Sequence, residues 1–119
     1  MYFRFRKFSI YTDLRQFIKD TYILANLLPD FEKFALASQL RRASTSILLN
    51  LAEGSMRGSD PEFHHFMMYS IASLGEVVSI LDVCLDQNYI TPSVHKEFMV
   101  KCEDIEKQLF SFSTKLKQK

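Results

Sequence analysis

The chain has 119 residues, 47% of them apolar and 24% charged, with a formal net charge of +1. That length fits one domain able to bury a core without disulfide or metal staples, and only three glycines and three prolines argue against a turn-rich all-β fold. So even a balance also excludes the evident basic excess of most nucleic-acid-binding domains, and any phosphate-facing surface must be local.

The opening Phe3-Arg4-Phe5-Arg6-Lys7-Phe8 interleaves rings with cations. Such a segment serves either as a stacking and phosphate-binding surface or as an arm pinned on a bundle with its charges left wet. Tyr11, Leu14, Ile18, Thr21, Ala25 and Leu28 then recur in steps of three and four, which predicts a first helix over about 9–27. Pro29 stops it, since proline lacks the amide donor and disfavours helix at the residue before it. Asp30 is placed to cap a second helix over about 31–53, with Leu36, Leu40, Ala43, Ile47 and Leu51 on one face. Gly54 is suited to the left-handed conformation that ends a helix.

Residues 54–60, GSMRGSD, form the strongest turn signal in the chain. Asp60-Pro61 offers a cap followed by proline, and Ser59 with Glu62 offers an alternative capping box. A third helix follows over about 61–87 on Phe66, Met67, Ser70, Leu74, Val77, Leu81 and Cys84. Asn88 and Tyr89 leave it, and Thr91-Pro92 opens a fourth helix over about 92–116 on Val94, Phe98, Cys102, Ile105, Leu109, Phe112 and Leu116. Four long helices with short connections predict an all-α, antiparallel up-down-up-down four-helix bundle, one domain over 1–119.

Charge is distributed unevenly along these helices. Residues 1–57 carry a net +4, residues 58–95 carry −5 with no Lys or Arg, and residues 96–119 carry +2. A phosphate-facing surface should therefore avoid the third helix. Lys115, Lys117 and Lys119 read as a solvated helix end that favours the helix dipole. With neither a signal-peptide pattern nor a run of about 18 apolar residues, the chain is expected to be cytoplasmic and not membrane-spanning. Cys84 and Cys102 lack metal-ligand spacing and read as buried free thiols.

No catalytic constellation is apparent. Ser44, Thr45 and Ser46 have no nearby His and no nucleophile elbow, and GSMRGSD does not match a phosphate-binding loop. His64 and His65 point about 100° apart on a helix, and only one Glu-x-x-His pair, Glu62 with His65, is present. No enzyme activity, metal or cofactor is expected. Ala72, Gly75 and Ser79 form a small-residue stripe on the third helix, open either to tight packing inside the bundle or to contact with a neighbouring subunit.

The second helix carries a periodic polar row, Gln39, Arg42, Ser46, Asn50 and Glu53. Pairing the second and third helices about their connecting loop sets Gln39 opposite Gly75 and Arg42 opposite Ala72, with Glu76 a turn from Arg42. The row then reads as a buried polar seam fixing helix register, completed by an Arg42–Glu76 ion pair. Arg41 faces outward as a candidate phosphate contact.

QLRRASTSILLNLAEG, residues 39–54, resembles the Q-x-R-R-A-x-x-S-I-x-x-N-I-A-E-G signature of the bacterial 23S rRNA intervening-sequence proteins. The resemblance continues through Glu62, Phe63 and Phe66 and through ASLGE, residues 72–76, with Leu48 standing where family members often have proline. It implies a four-helix bundle assembling as a homopentamer. A related branch, the accessory variability proteins of diversity-generating retroelements, forms pentamers that bind nucleic acid and a reverse transcriptase. The residues themselves supply the local basic surface, and the chain is expected to be a non-enzymatic oligomer that binds RNA or DNA through Arg41, Arg42, Arg57 and the Arg4, Arg6, Lys7 arm. The competing expectation is a scaffold whose partner is another polypeptide.

Overall fold

The computed structural model of the chain describes residues 3–117. Four helices carry the fold: α1 (Ser9–Leu27), α2 (Leu36–Ser55), α3 (Asp60–Asp86) and α4 (Pro92–Lys117), with 3-10 turns at Arg4–Lys7 and Asp30–Glu32. They make an all-α bundle with extents of 45 × 23 × 20 Å. Consecutive helices run antiparallel. Thr21 of α1 meets Ser44 of α2, the Ile47 carbonyl of α2 accepts from Ser70 of α3, and Asp82 of α3 pairs with His95 of α4. Lys101 with Asp20 and Gln108 with Asp13 tie α4 back to α1. The most extensive packing is between α2 and α3, and the least between α1 and α4.

The core forms because each helix presents an apolar stripe to the same axis. Leu14, Leu40, Ile47, Leu51, Met67, Val77, Leu81 and Leu109 are completely buried. On α1 the stripe is wider than the periodicity indicates, because α1 packs against both α2 and α4. Ile10, Phe17 and Leu24 are buried along with Leu14, whereas Tyr11 and Ile18 are only half-buried. Among the described residues five hydroxyls are buried, those of Thr21, Ser44, Ser55, Ser70 and Ser113, and each has a partner. Thr21 Oγ1 lies 2.9 Å from Ser44 Oγ, and Ser70 Oγ donates to the Ile47 carbonyl at 2.8 Å. No buried side-chain polar atom among the described residues lacks a hydrogen bond, as native interiors require.

Both ends of α2 differ from expectation, and at the start of α3 one of the two expected caps is used. Asp30 does not cap α2. After Pro29 the chain makes a 3-10 turn over Asp30–Glu32, and α2 begins at Leu36. The Glu32 carboxylate supplies the missing cap, accepting from Leu36 N at 3.3 Å and from Tyr89 Oη at 2.8 Å. It thereby ties the α1–α2 connection to the α3–α4 connection. At the start of α3 the capping residue is Ser59, whose Oγ accepts from Glu62 N at 3.4 Å, so the capping box forms and Asp60 lies inside the helix. Gly54 is not left-handed and α2 continues through it to Ser55. Its lack of a side chain serves packing instead: a Cβ there would sit 2.7 Å from Phe66 Cβ and 2.9 Å from Phe63 Cδ1. The expected end of α3 is present, with Asn88 at φ 60°, and Thr91 Oγ1 accepts from Val94 N at the start of α4.

Helix α3 is long and apolar enough to cross a membrane by length and composition alone, a property it shares with core helices of bundles. Its sequence is not a continuous apolar run, since Ser70, Ser73, Gly75 and Glu76 interrupt it. In the bundle α3 packs between α2 and α4, with Ser70 bonded across to α2. Its exposed outer face is mixed: Met68, Tyr69, Ala72, Gly75 and Val83 alternate with the carboxylates Glu76, Asp82 and Asp86.

Candidate nucleic-acid interface

The polar row of α2 lies along the edge of the α2–α3 contact rather than within it. Gln39, Arg42 and Glu53 are exposed, and Ser46 and Asn50 are half-buried. The buried seam is therefore corrected to a surface row, because the buried arc of α2 is centred on Leu40, Ile47 and Leu51 and leaves the row to one side. Its centre is still ordered. Ser46 Oγ lies 2.9 Å from Ser73 Oγ, and Asn50 Nδ2 donates to Ser46 O and Oγ at 2.9 and 3.0 Å. The Ser46–Ser73 pair shifts the helix register about one turn from the loop-centred one, so Gln39 does not face Gly75 and Arg42 does not face Ala72. Arg42 and Glu76 form no ion pair. Both side chains are exposed, where such a pair gains little over hydration.

The six cations expected to meet nucleic acid divide into separate places. Arg41 is not a free outward group: it is half-buried, and its Nη2 donates to the Lys33 carbonyl at 3.2 Å, fastening α2 to the α1–α2 connection. Arg42 is exposed, one position further along α2. Arg57 pairs with Glu53 at 2.9 Å and covers the Phe66 ring at 4.6 Å. Arg4 reaches the Ser55 carbonyl at 3.4 Å and lies 5.7 Å from the Phe63 ring centre, while Arg6 and Lys7 are exposed. The arm is thus pinned on the bundle, and its pinning carries Arg4, Arg6 and Lys7 to the end that holds Arg57.

The same end receives the last turn of α4, with Lys115 and Lys117; Lys119 lies outside the described residues. Phe8 packs on Phe112 with ring centres 5.0 Å apart, and Phe112 packs on Phe63 at 5.3 Å. Lys115 is more than a solvated helix end. It lines two surface depressions beside Phe8 and Phe112, one of them shared with Arg4. The signal for this in the sequence is topological: an up-down-up-down chain must return its fourth helix to the end where the first begins.

No three His, Cys, Asp or Glu residues gather as a metal site among the described residues. His65 Nε2 lies 2.7 Å from Tyr69 Oη, and His95 Nε2 lies 2.8 Å from Asp82 Oδ1. Both cysteines are buried and free. Burial, with a smaller push from Glu32, raises the Cys84 thiol to about 11; burial, with Glu103, raises Cys102 to about 12. The reactive thiolate is therefore scarce at neutral pH. At about pH 8, just below the ordinary thiol pKa, the folded protein is expected to resist iodoacetamide at both cysteines, with both alkylating once denaturant is added. Rapid labelling of either in the folded state would contradict this placement.

Ala72, Gly75 and Ser79 lie on the outer face of α3, where nothing lies within 4 Å of a Cβ built on Gly75. The stripe therefore packs no other helix of its own bundle at Gly75. Half-exposed Met68 (36%), Tyr69 (47%) and Val83 (42%) share this helix surface with exposed Glu76 and Asp82. Leu27 (75%), Phe31 (68%) and Phe34 (88%) are exposed around the α1–α2 connection.

These features define an all-α four-helix bundle with cations gathered at one end and an exposed small-residue stripe on α3. The chain belongs to the 23S rRNA-intervening sequence protein family, whose model matches residues 6–111. A solved structure from Bacteroides thetaiotaomicron, described as a protein of unknown function from the S23 ribosomal protein family, shares the fold. It superposes with a TM-score of 0.80 at 22% identity, covering 87% of this chain and 97% of that one. No curated protein matches the chain.

Proposed function

We propose that the chain is a non-catalytic, cytoplasmic bundle that self-assembles through the outer α2–α3 face and holds RNA or DNA on its basic end. The gathering of Arg4, Arg6, Lys7, Arg57, Lys115 and Lys117 at one end carries the nucleic-acid reading. Assembly is supported by the exposed small-residue stripe of Ala72, Gly75 and Ser79, beside which Met68, Tyr69 and Val83 are also exposed and where Gly75 has no neighbour within its own bundle. A ring of five copies, as the family resemblance implies, repeats the basic end and multiplies a modest local charge.

Gly75→Arg separates the two elements of this reading. The single chain has room for the new side chain, so helicity is unchanged, while the assembly is blocked. Light scattering is expected to show monomers, and affinity for a structured RNA falls at least about tenfold as multivalency is lost. A variant that keeps the wild-type mass removes the α3 face from the assembly.

A second reading has its own observation. Leu27, Phe31 and Phe34 are exposed around the α1–α2 connection, with Lys33 over the Phe34 ring at 5.5 Å, which supports a scaffold whose partner is a polypeptide, such as a reverse transcriptase. That reading expects Phe34→Asp to abolish capture of the polypeptide and to leave nucleic-acid affinity untouched.

A further inference from the structure

The two depressions at the basic end have a composition that a duplex-binding surface does not need. The larger has a volume of about 460 Å³ and is lined by Phe8, Ser9, Lys107, Ser111, Phe112 and Lys115 among others, with no carboxylate in its lining. The second, of about 240 Å³, continues past Phe8, Phe112 and Lys115 to Arg4, Phe63 and Asp60. Phe8 and Phe112 are half-buried, so each keeps part of its ring open to the groove, while Phe63 is 2% exposed and forms the support beneath them. Lys107 and Lys115 are exposed, and neither forms an ion pair with any described residue. The larger depression is thus an aromatic floor flanked by Lys107 and Lys115, and the second adds Arg4 together with one carboxylate, Asp60.

A duplex keeps its bases stacked inward and offers the protein a backbone and groove edges, so it would use the cations and leave the rings idle. A single strand offers both phosphates and free base faces, and stacking on aromatic side chains tolerates any base. We infer that this groove, between the start of α1 and the last turns of α4, binds single-stranded nucleic acid, with bases against Phe8 and Phe112 and phosphates on Lys107, Lys115 and Arg4. The inference rests on the nucleic-acid reading above and assigns it a strand class and a place.

The test is an anisotropy titration of the full chain at about 50 mM salt. Its probes are a labelled single strand of about 12 nucleotides, an abasic strand of equal length, and a duplex of equal length. The ordinary strand is expected to bind about tenfold or more tighter than the abasic one. Lys107→Glu and Lys115→Glu, both at exposed positions that leave the core intact, should each weaken the single strand several-fold more than the duplex. Phe112→Leu, checked for retained helicity, should narrow the gap between ordinary and abasic strands. Equal binding of ordinary and abasic strands, or unchanged affinity in both lysine variants, overturns the groove while leaving duplex binding at the basic end standing. Absence of binding to all three probes removes both readings together.

Discussion

Gly54→Ala is expected to destabilise the bundle by about 1–3 kcal/mol, whereas Gly75→Ala is expected to stabilise it by up to about 1 kcal/mol. Both glycines are helical, and both substitutions improve intrinsic helix propensity. The difference is in what the new methyl group meets. At position 54 it would press on Phe66 Cβ at 2.7 Å and Phe63 Cδ1 at 2.9 Å, with the Phe63 carbonyl at 3.3 Å. These atoms belong to the first turns of α3, so relief requires the α2–α3 pair to separate, and Phe63 cannot swing away from its packing on Phe112. At position 75 no atom lies within 4 Å. Thermal denaturation should therefore show a lowered Tm for Gly54→Ala, by about 5 °C or more, and a slightly raised one for Gly75→Ala. Equal shifts for the two would mean that α2 and α3 do not approach closely at Gly54. A Gly75→Ala variant that is destabilised when assembled but not when monomeric would place a neighbouring copy against Gly75.

Reversing the arm, with Arg4→Glu, Arg6→Glu and Lys7→Glu combined, should weaken nucleic-acid binding by about tenfold or more. It should also flatten the dependence of log affinity on log salt by about 0.9 for each duplex phosphate that the arm no longer neutralises. Arg57→Ala should have a smaller effect, since Glu53 already neutralises much of that charge at 2.9 Å. Arg41→Ala should leave affinity nearly unchanged. Its guanidinium is engaged with the Lys33 carbonyl, at the connection between α1 and α2 and away from the arm. If Arg41→Ala weakened binding as much as the arm reversal does, the nucleic-acid surface would lie along α2 instead.

Much of the fold is legible in local signals. Pro29 and the Thr91-Pro92 pair mark helix boundaries, and the apolar spacing of Leu40, Ile47 and Leu51 matches fully buried positions. Boundaries set by distant contacts are not legible. The cap of α2 depends on Glu32, and Tyr89 holds Glu32 from a connection 57 residues later. Gly54 carries the same identity whether it ends a helix or admits Phe66, and only the approach of α3 decides between them. The polar row of α2 is visible as a pattern, but its burial depends on a register offset that loop length alone does not fix. For the site, the cations are visible individually. Their separation into a used Arg41, a paired Arg57 and an exposed arm depends on side-chain partners, and the groove depends on the meeting of Phe8 with Phe112 from opposite ends of the chain.

The most direct measurement is a titration of the wild-type protein with RNA and DNA at about 50 and 200 mM salt, with the assembly mass determined in the same buffers. Contact with several phosphates per assembly predicts tight binding at the lower concentration and a fall of at least about tenfold at the higher one. Undetectable binding at the lower concentration would contradict the nucleic-acid reading and leave the exposed apolar surfaces, with a polypeptide partner, as the working description of this bundle.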